Sequence, residues 1–119
     1  MELTETIDSI FVGENSLLDT ELEEILINTD IDGELQIRLT FSNFRCKSDF
    51  ERVQILFQNI DEFNFCHSYN YNFYNVESYK LLNLAGKIYI SLDPDESIIS
   101  RSEDDLDFII SRKAIILKK

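Results

Sequence analysis

The sequence predicts a mainly β protein, with an α+β arrangement as the open alternative. We expect residues 1–119 to form a single antiparallel β domain of six to eight strands with minor helix. Several segments alternate apolar and polar residues, which is the two-residue period of a half-buried strand. Two hairpin signals, Asp32-Gly33 and Ala85-Gly86, separate pairs of these segments. The 119 residues are enough for one hydrophobic core and too few for two domains.

In the first half of the chain, three segments predict strands. Residues 34–42 alternate most clearly, and residues 52–58 repeat the pattern. A third alternation, at residues 62–66, follows Asn59-Ile60-Asp61 and predicts a further strand.

The second half of the chain predicts a hairpin and a C-terminal strand. Residues 79–84 and 87–92 flank Ala85-Gly86, and a glycine at that point is typical of a tight turn. Residues 108–117 are rich in isoleucine but interrupted by polar residues, so they predict one bent strand or two short ones. Periodicity leaves open whether the strands form a sandwich or an open sheet packed on a helix.

The N-terminal part has two interpretations. Residues 20–27 place apolar side chains at helical spacing, yet the same residues also fit a strand. Because Asp-Gly strongly favours a hairpin turn, we predict that 22–29 pairs with 34–42. A short helix is expected within 5–18 or around 48–51.

The charge balance points to a cationic partner. The chain has 23 acids and 11 bases, a net charge of −12, and no base occurs before Arg38. Such a surface repels nucleic acid and anionic membranes, and it accelerates encounters with cations at low salt. A surface kept acidic for solubility is the alternative explanation.

A second acidic region, residues 93–107, contains seven carboxylates and a single base, Arg101. It is interpreted as an exposed loop that contacts a basic partner, with a purely solvated loop or a metal or catalytic cluster as alternatives. Tyrosines at 69–74 are expected to anchor the contact, because tyrosine is enriched among the residues that dominate interface energies. The predicted contact residues are Asp93, Asp95, Glu96, Glu103, Asp104, Asp105, Tyr69, Tyr71, Tyr74, Glu21, Glu23 and Glu24.

No motif predicts catalysis, a metal or a cofactor. The run from Asn28 to Gly33 begins like a calcium loop, but Leu39 stands where that loop needs a glutamate. His67 is the only histidine, and no nucleophile motif or zinc-binding pattern accompanies it. Cys46 and Cys66 are expected to be reduced thiols of a cytoplasmic protein. The N-terminus, MELTETIDSI, carries acidic residues and no positive charge, which is unlike a signal peptide.

Three stretches resemble small acidic immunity proteins of bacterial polymorphic and contact-dependent toxin systems. They read LLDTELEEILINTDIDGELQIRLTF, YKLLNLAGKIYISLDPDE and SEDDLDFI. The resemblance implies a cytoplasmic protein that binds one cognate toxin, often a basic nuclease, and blocks it. Separately, we expect the β domain to be a monomer or a weak dimer. The alternative function is a small-ligand-binding β domain whose acidity is incidental.

Overall fold

The described strands form one antiparallel sheet in a computed structural model, which describes residues 10–44, 47–66 and 75–118. The strand order across the sheet is β1-β2-β3-β6-β5-β4. The strands are β1 (Glu21–Thr29), β2 (Leu35–Ser42), β3 (Arg52–Asn64), β4 (Lys80–Leu84), β5 (Lys87–Asp93) and β6 (Leu106–Lys118). The mainly β prediction is therefore confirmed, with six strands in the described part of the chain.

The predicted hairpin of β1 and β2 is confirmed. Its turn is held by the Asp30 carboxylate, whose Oδ1 accepts the backbone N–H groups of Asp32 at 2.8 Å and Glu34 at 3.0 Å. Gly33 has a φ of +82°, which glycine adopts without strain. An aspartate that bonds its own turn in this way is a common element of loop structure, so the acidic run here forms a β-turn.

The sequence predicts separate strands at 52–58 and 62–66, but in the structure β3 (Arg52–Asn64) is one strand that spans most of both. Asn59 has a φ of +54°, and the register with β6 shifts between Ile60 and Glu62. This is a β-bulge, which inserts an extra residue and bends the strand without ending it. Asparagine tolerates the left-handed conformation better than most residues, which explains its position.

The β4–β5 hairpin is confirmed, and its two turn residues, Ala85 and Gly86, both have positive φ. That combination defines a type I′ turn, whose twist matches that of the flanking strands. The C-terminal segment is one strand, β6, which pairs with β3 on one side and β5 on the other.

One face of the sheet carries the core. The buried side chains of this face come from β2 (Ile37, Leu39, Phe41), from the first half of β3 (Val53, Ile55, Phe57) and from β5 (Ile88, Ile90). The segments around the strands cover this face with Phe11, Leu17 and Phe50. The arrangement is neither a sandwich nor a sheet packed on a helix: the described residues contain only a 3₁₀ turn at Gly13–Asn15, and residues 48–51 are not helical.

The sheet curls until its two edges approach each other. Glu21, at the start of β1, forms an isolated bridge with Asn75, which precedes β4. Val76 accepts a hydrogen bond from Asp19 at 2.7 Å and donates one to Thr20 at 2.9 Å. The chain before β1 is thereby joined to the chain before β4, and this junction positions the surface described next.

Candidate functional site

The loop between β5 and β6, residues 94–105, is organised around the buried carboxylate of Asp105. We call it the carboxylate loop. Oδ1 of Asp105 accepts hydrogen bonds from Lys80 Nζ at 2.8 Å and from the Asp95 N–H at 2.7 Å. Oδ2 accepts the Tyr89 hydroxyl at 2.6 Å and the Ser102 N–H at 3.0 Å. The Asp105 side chain has 0% of its surface exposed, so it cannot touch a partner as predicted and instead holds the loop against the sheet.

This bonding stabilises the charged form of Asp105. Burial by itself raises the pKa of the carboxyl group, but hydrogen bonds from Lys80 and Tyr89 and from two backbone N–H groups lower the pKa to about 2. Burial, and then the Asp105 carboxylate, raise the pKa of Tyr89. Tyr89 is therefore a protonated donor to Asp105 at neutral pH, and the loop closes around a fully bonded anion.

The other carboxylates of the loop divide into internal and outward-facing groups. Asp95 accepts hydrogen bonds from the Ser97 hydroxyl at 2.6 Å and from the Ser102 hydroxyl at 3.0 Å, and the Ser97 bonds contribute most to lowering its pKa. Asp93 is half-buried at the end of β5. The remaining three predicted contact residues of this region, Glu96, Glu103 and Asp104, are exposed.

The single base of the loop turns back onto the sheet. The Arg101 guanidinium lies 5.7 Å from the ring centre of Tyr89 and 5.6 Å from that of Phe108, which is a cation–π arrangement. It also approaches Glu62 of β3 at 3.7 Å. Arg101 is thus engaged with two aromatic rings and with Glu62, and it forms no ion pair with the exposed acids of the loop, Glu96, Glu103 and Asp104.

A surface groove of about 560 Å³ runs beside the outer edge of β4, and we call it the edge groove. Residues 16–18 form one wall, the carboxylate loop forms the other, and residues 77–82 form the floor. Its apolar lining includes Leu18, Ile98 and Ile99, of which Ile99 is 92% exposed. Glu77 and Glu96 also line it, so the groove is apolar with acidic sides.

The acids of β1 are placed less favourably for a partner than the sequence suggested. Glu23 pairs with Arg52 at 3.1 Å, and Glu24 pairs with Arg38 at 3.0 Å. A hydrogen bond from the Ser42 hydroxyl, with help from Arg52, lowers the pKa of Glu23. Glu21 is exposed at the start of β1, where it pairs with Asn75. Asn75 is two residues before Glu77, which lines the edge groove.

Some predictions lie outside the described residues. Tyr69, Tyr71 and Tyr74, together with His67, belong to this undescribed part, as does Cys46. Cys66 is an exposed free thiol. Among the described side chains, no three His, Cys, Asp or Glu residues converge as a metal site would require.

Comparisons of the chain with protein-family models, with curated proteins and with solved structures gave no match. Within the ranges that the structure describes, no helix has the length and apolar character needed to cross a bilayer. Function must therefore be argued from the carboxylate loop and the edge groove.

Sequence reasoning missed the edge groove because its walls come from three distant segments. One local signal was available. Two adjacent isoleucines, Ile98 and Ile99, lie among serines and acids, and a fully solvated loop would not be expected to contain two adjacent large apolar side chains. The inward orientation of Lys80 had no such signal, because its partner Asp105 lies 25 residues away and both side chains are usually exposed.

Proposed function

We propose that this protein binds a basic protein partner, a toxin domain such as a nuclease, and blocks it by covering its cationic surface. This is the task of an immunity protein, carried out in the cytoplasm by a monomer or weak dimer without catalysis or a cofactor. That the partner is a toxin, often a nuclease, follows from the resemblance stated above and not from the geometry.

The proposal rests chiefly on how the charges are distributed. Six bases of the described chain form ion pairs with its own acids. Meanwhile Glu96, Glu103 and Asp104 stand exposed on one loop and make no ion pair with any described residue, and Glu77 and Glu21 are exposed nearby. The six bases are Arg38, Arg52, Lys80, Lys87, Arg101 and Arg112. These exposed carboxylates, without an ion pair to any described base, are available to a cationic partner.

The rigidity of the loop makes these charges more effective. A cationic cleft built for phosphate can accept carboxylates, and close charge pairs at such interfaces are coupled by about 1.5–7 kcal/mol. Carboxylates on a mobile loop would lose part of that gain in becoming ordered. Asp105 fixes the loop through the Asp95 and Ser102 backbones before any partner arrives.

The experiment is a toxin-protection and binding assay with matched charge reversals. The partner is the variable C-terminal domain of a secreted protein encoded beside this gene, co-expressed in a susceptible host and then purified for binding kinetics. The triple variant Glu96→Lys, Glu103→Lys, Asp104→Lys should slow association about tenfold or more at low salt. That difference should vanish near 1 M salt, where the Debye length falls to about 3 Å.

The control reverses two exposed acids elsewhere, a change of +4 against the +6 of the triple variant. Asp32→Lys with Glu34→Lys alters exposed acids at the β1–β2 turn, at the far end of β1 from the edge groove. This variant should retain most of the association rate. The proposal fails if the two variants slow association equally, or if no neighbouring toxin is bound or neutralised.

A small-ligand-binding β domain remains the second candidate, and the volume of the edge groove favours it. About 560 Å³ lies within the range of about 300–1,000 Å³ that is typical of small-molecule sites. A screen by thermal shift discriminates the two functions. A small ligand that raises the melting temperature, in a protein that neutralises no toxin, would favour this candidate over the immunity function.

A further inference from the structure

The edge groove lies where the curled sheet comes closest to closing. Asp19, Thr20 and Val76 are joined by two backbone hydrogen bonds, as residues of neighbouring strands would be. On the N-terminal side of Asp19, which has a φ of +64°, the described backbones of the two segments form no further hydrogen bond with each other. There the Tyr79 hydroxyl joins the segments, 3.2 Å from Ser16 Oγ and accepting the Leu17 N–H at 3.3 Å, and the groove lies between residues 16–18 and β4. The groove therefore continues the line along which another strand would lie.

The backbone of β4 presents hydrogen-bonding groups to this gap. Leu84 and Lys87 flank the two-residue turn, so they form a hydrogen-bonded pair with each other. Because such pairs alternate along an antiparallel ladder, the N–H and C=O of Leu81 point away from β5. β4 is the last strand of the sheet, and no backbone group in the described part of the chain bonds to Leu81 on that side.

The charge of the groove selects its occupant. Glu77 and Glu96 line it, and the base that lines it, Lys80, directs its ammonium inward to Asp105 and to the Ser100 carbonyl at 2.7 Å. The Lys80 side chain is only 7% exposed, so its charge does not oppose the two glutamates at the surface. Ile98 and Ile99 add an apolar wall.

We infer that the edge groove takes an extended segment of the protein partner, with alternating basic and apolar residues, which adds a strand beside β4. An unprotected strand edge is a template for such addition, where main-chain hydrogen bonds supply affinity and alternate side chains supply specificity. Residues 78–82 span about 17 Å at a strand's rise, enough for five residues of the partner. The inference rests on the proposed function for the partner's identity as a basic toxin.

The first test uses a synthetic peptide of eight residues with alternating lysine and valine. On binding, the amide N–H of Leu81 should shift in the NMR spectrum, and its exchange with solvent should slow by at least about tenfold. The amide N–H of Ile27, on the other edge of the sheet, should keep its chemical shift and its exchange rate. Two further peptides carry backbone N-methyl groups on the valines only or on the lysines only. One of the two should lose at least about tenfold in affinity, because only one set of N–H groups faces β4. Equal affinity for both would overturn strand addition and leave a purely side-chain attraction.

The second test compares matched variants of the protein. Ile99→Ser and Glu96→Lys, in the groove, should each weaken peptide binding about tenfold. Ile31→Ser and Asp32→Lys, at the β1–β2 turn where Ile31 is 100% exposed, should leave it within about twofold. Equal effects of the two pairs would contradict the inference.

The two proposals can fail separately. If the toxin binds the protein and the lysine–valine peptide does not displace it, strand addition is wrong and the immunity function stands. If the peptide behaves as described but no toxin is neutralised, the immunity function is wrong and the groove is still a strand-binding site.

Discussion

Replacing Asp105 with asparagine should destabilise the fold severely, although the two side chains have nearly the same shape. The asparagine amide replaces one carboxylate oxygen with an NH₂ group, which can only donate hydrogen bonds. In one orientation this NH₂ faces Lys80 Nζ and the Asp95 N–H, and in the other it faces the Ser102 N–H. All three of these groups are donors that cannot act as acceptors, so at least one hydrogen bond is lost in either orientation. The ammonium of Lys80 is left buried without its counter-charge. Breaking a buried ion pair in this way costs about 3–5 kcal/mol, a large part of the about 5–15 kcal/mol by which such domains are stable.

Urea unfolding followed by circular dichroism at pH 7 measures this loss. At about 4 °C per kcal/mol for a domain of this size, the melting temperature should fall by about 12–20 °C. Asp104→Asn is the matched control, because it makes the same change one residue away on an exposed side chain and should stay within about 0.5 kcal/mol. If Asp105→Asn is as mild as this control, the buried network does not hold the loop.

The pH dependence provides an independent check on the same carboxylate. The folded pKa of Asp105 is about 2, below the about 3.9 of an unfolded aspartate. A lowered pKa means that the stabilisation is complete above about pH 5 and is lost as the pH falls toward 2, with about 2.5 kcal/mol at stake. The stability difference between the parent protein and Asp105→Asn should therefore shrink by that amount over this range. A constant difference from pH 7 to 2 would show that the charge of Asp105 is not what stabilises the loop.

Three further predictions concern other parts of the fold. Asn59→Val should cost about 1–2 kcal/mol in urea unfolding, because a β-branched residue resists a φ of +54°, whereas Asn59→Gly should change little. Thr40→Val should leave stability unchanged or raise it by up to about 1 kcal/mol, because the buried Thr40 hydroxyl has no hydrogen-bond partner among the described residues. Alkylation of the native protein should titrate two free thiols, Cys46 and Cys66, and finding none would contradict the reduced state.

The parts of the fold that sequence could predict are those fixed by local chemistry. Asp32-Gly33 and Ala85-Gly86 each specify a turn within a few residues, and both hairpins are confirmed. The error at Asn59 has the same local origin, because an inserted bulge residue reverses which side chains face the core. In the sequence this reversal looks the same as the end of one strand and the start of another.

The candidate site was only partly predictable, for a different reason. Composition identified the carboxylate loop, but it could not separate Asp105 from its neighbour Asp104, since the two residues differ only in what folding brings near them. Lys80 lies on the non-core face of β4 and is paired with Ser91 of β5. Tyr89, two residues before Ser91, is the diagonal neighbour of Lys80 on the same face. Pairing between β4 and β5 therefore determines which aspartate becomes the internal anchor, and that pairing is a tertiary property.

The placement of the bases favours the proposed binding surface over an acidic coat that serves solubility alone. Solubility requires net charge but no particular arrangement, so bases and acids could both remain free on such a coat. Here Lys80 and Arg101 sit between the carboxylate loop and the sheet, one bonded to Asp105 and the other over two aromatic rings. Lys80 and Arg101 thereby help to hold the loop against the sheet. The same contacts that order the loop leave Glu96, Glu103 and Asp104 exposed, without an ion pair to any described residue, near an apolar groove, and this combination supports the proposed cationic partner.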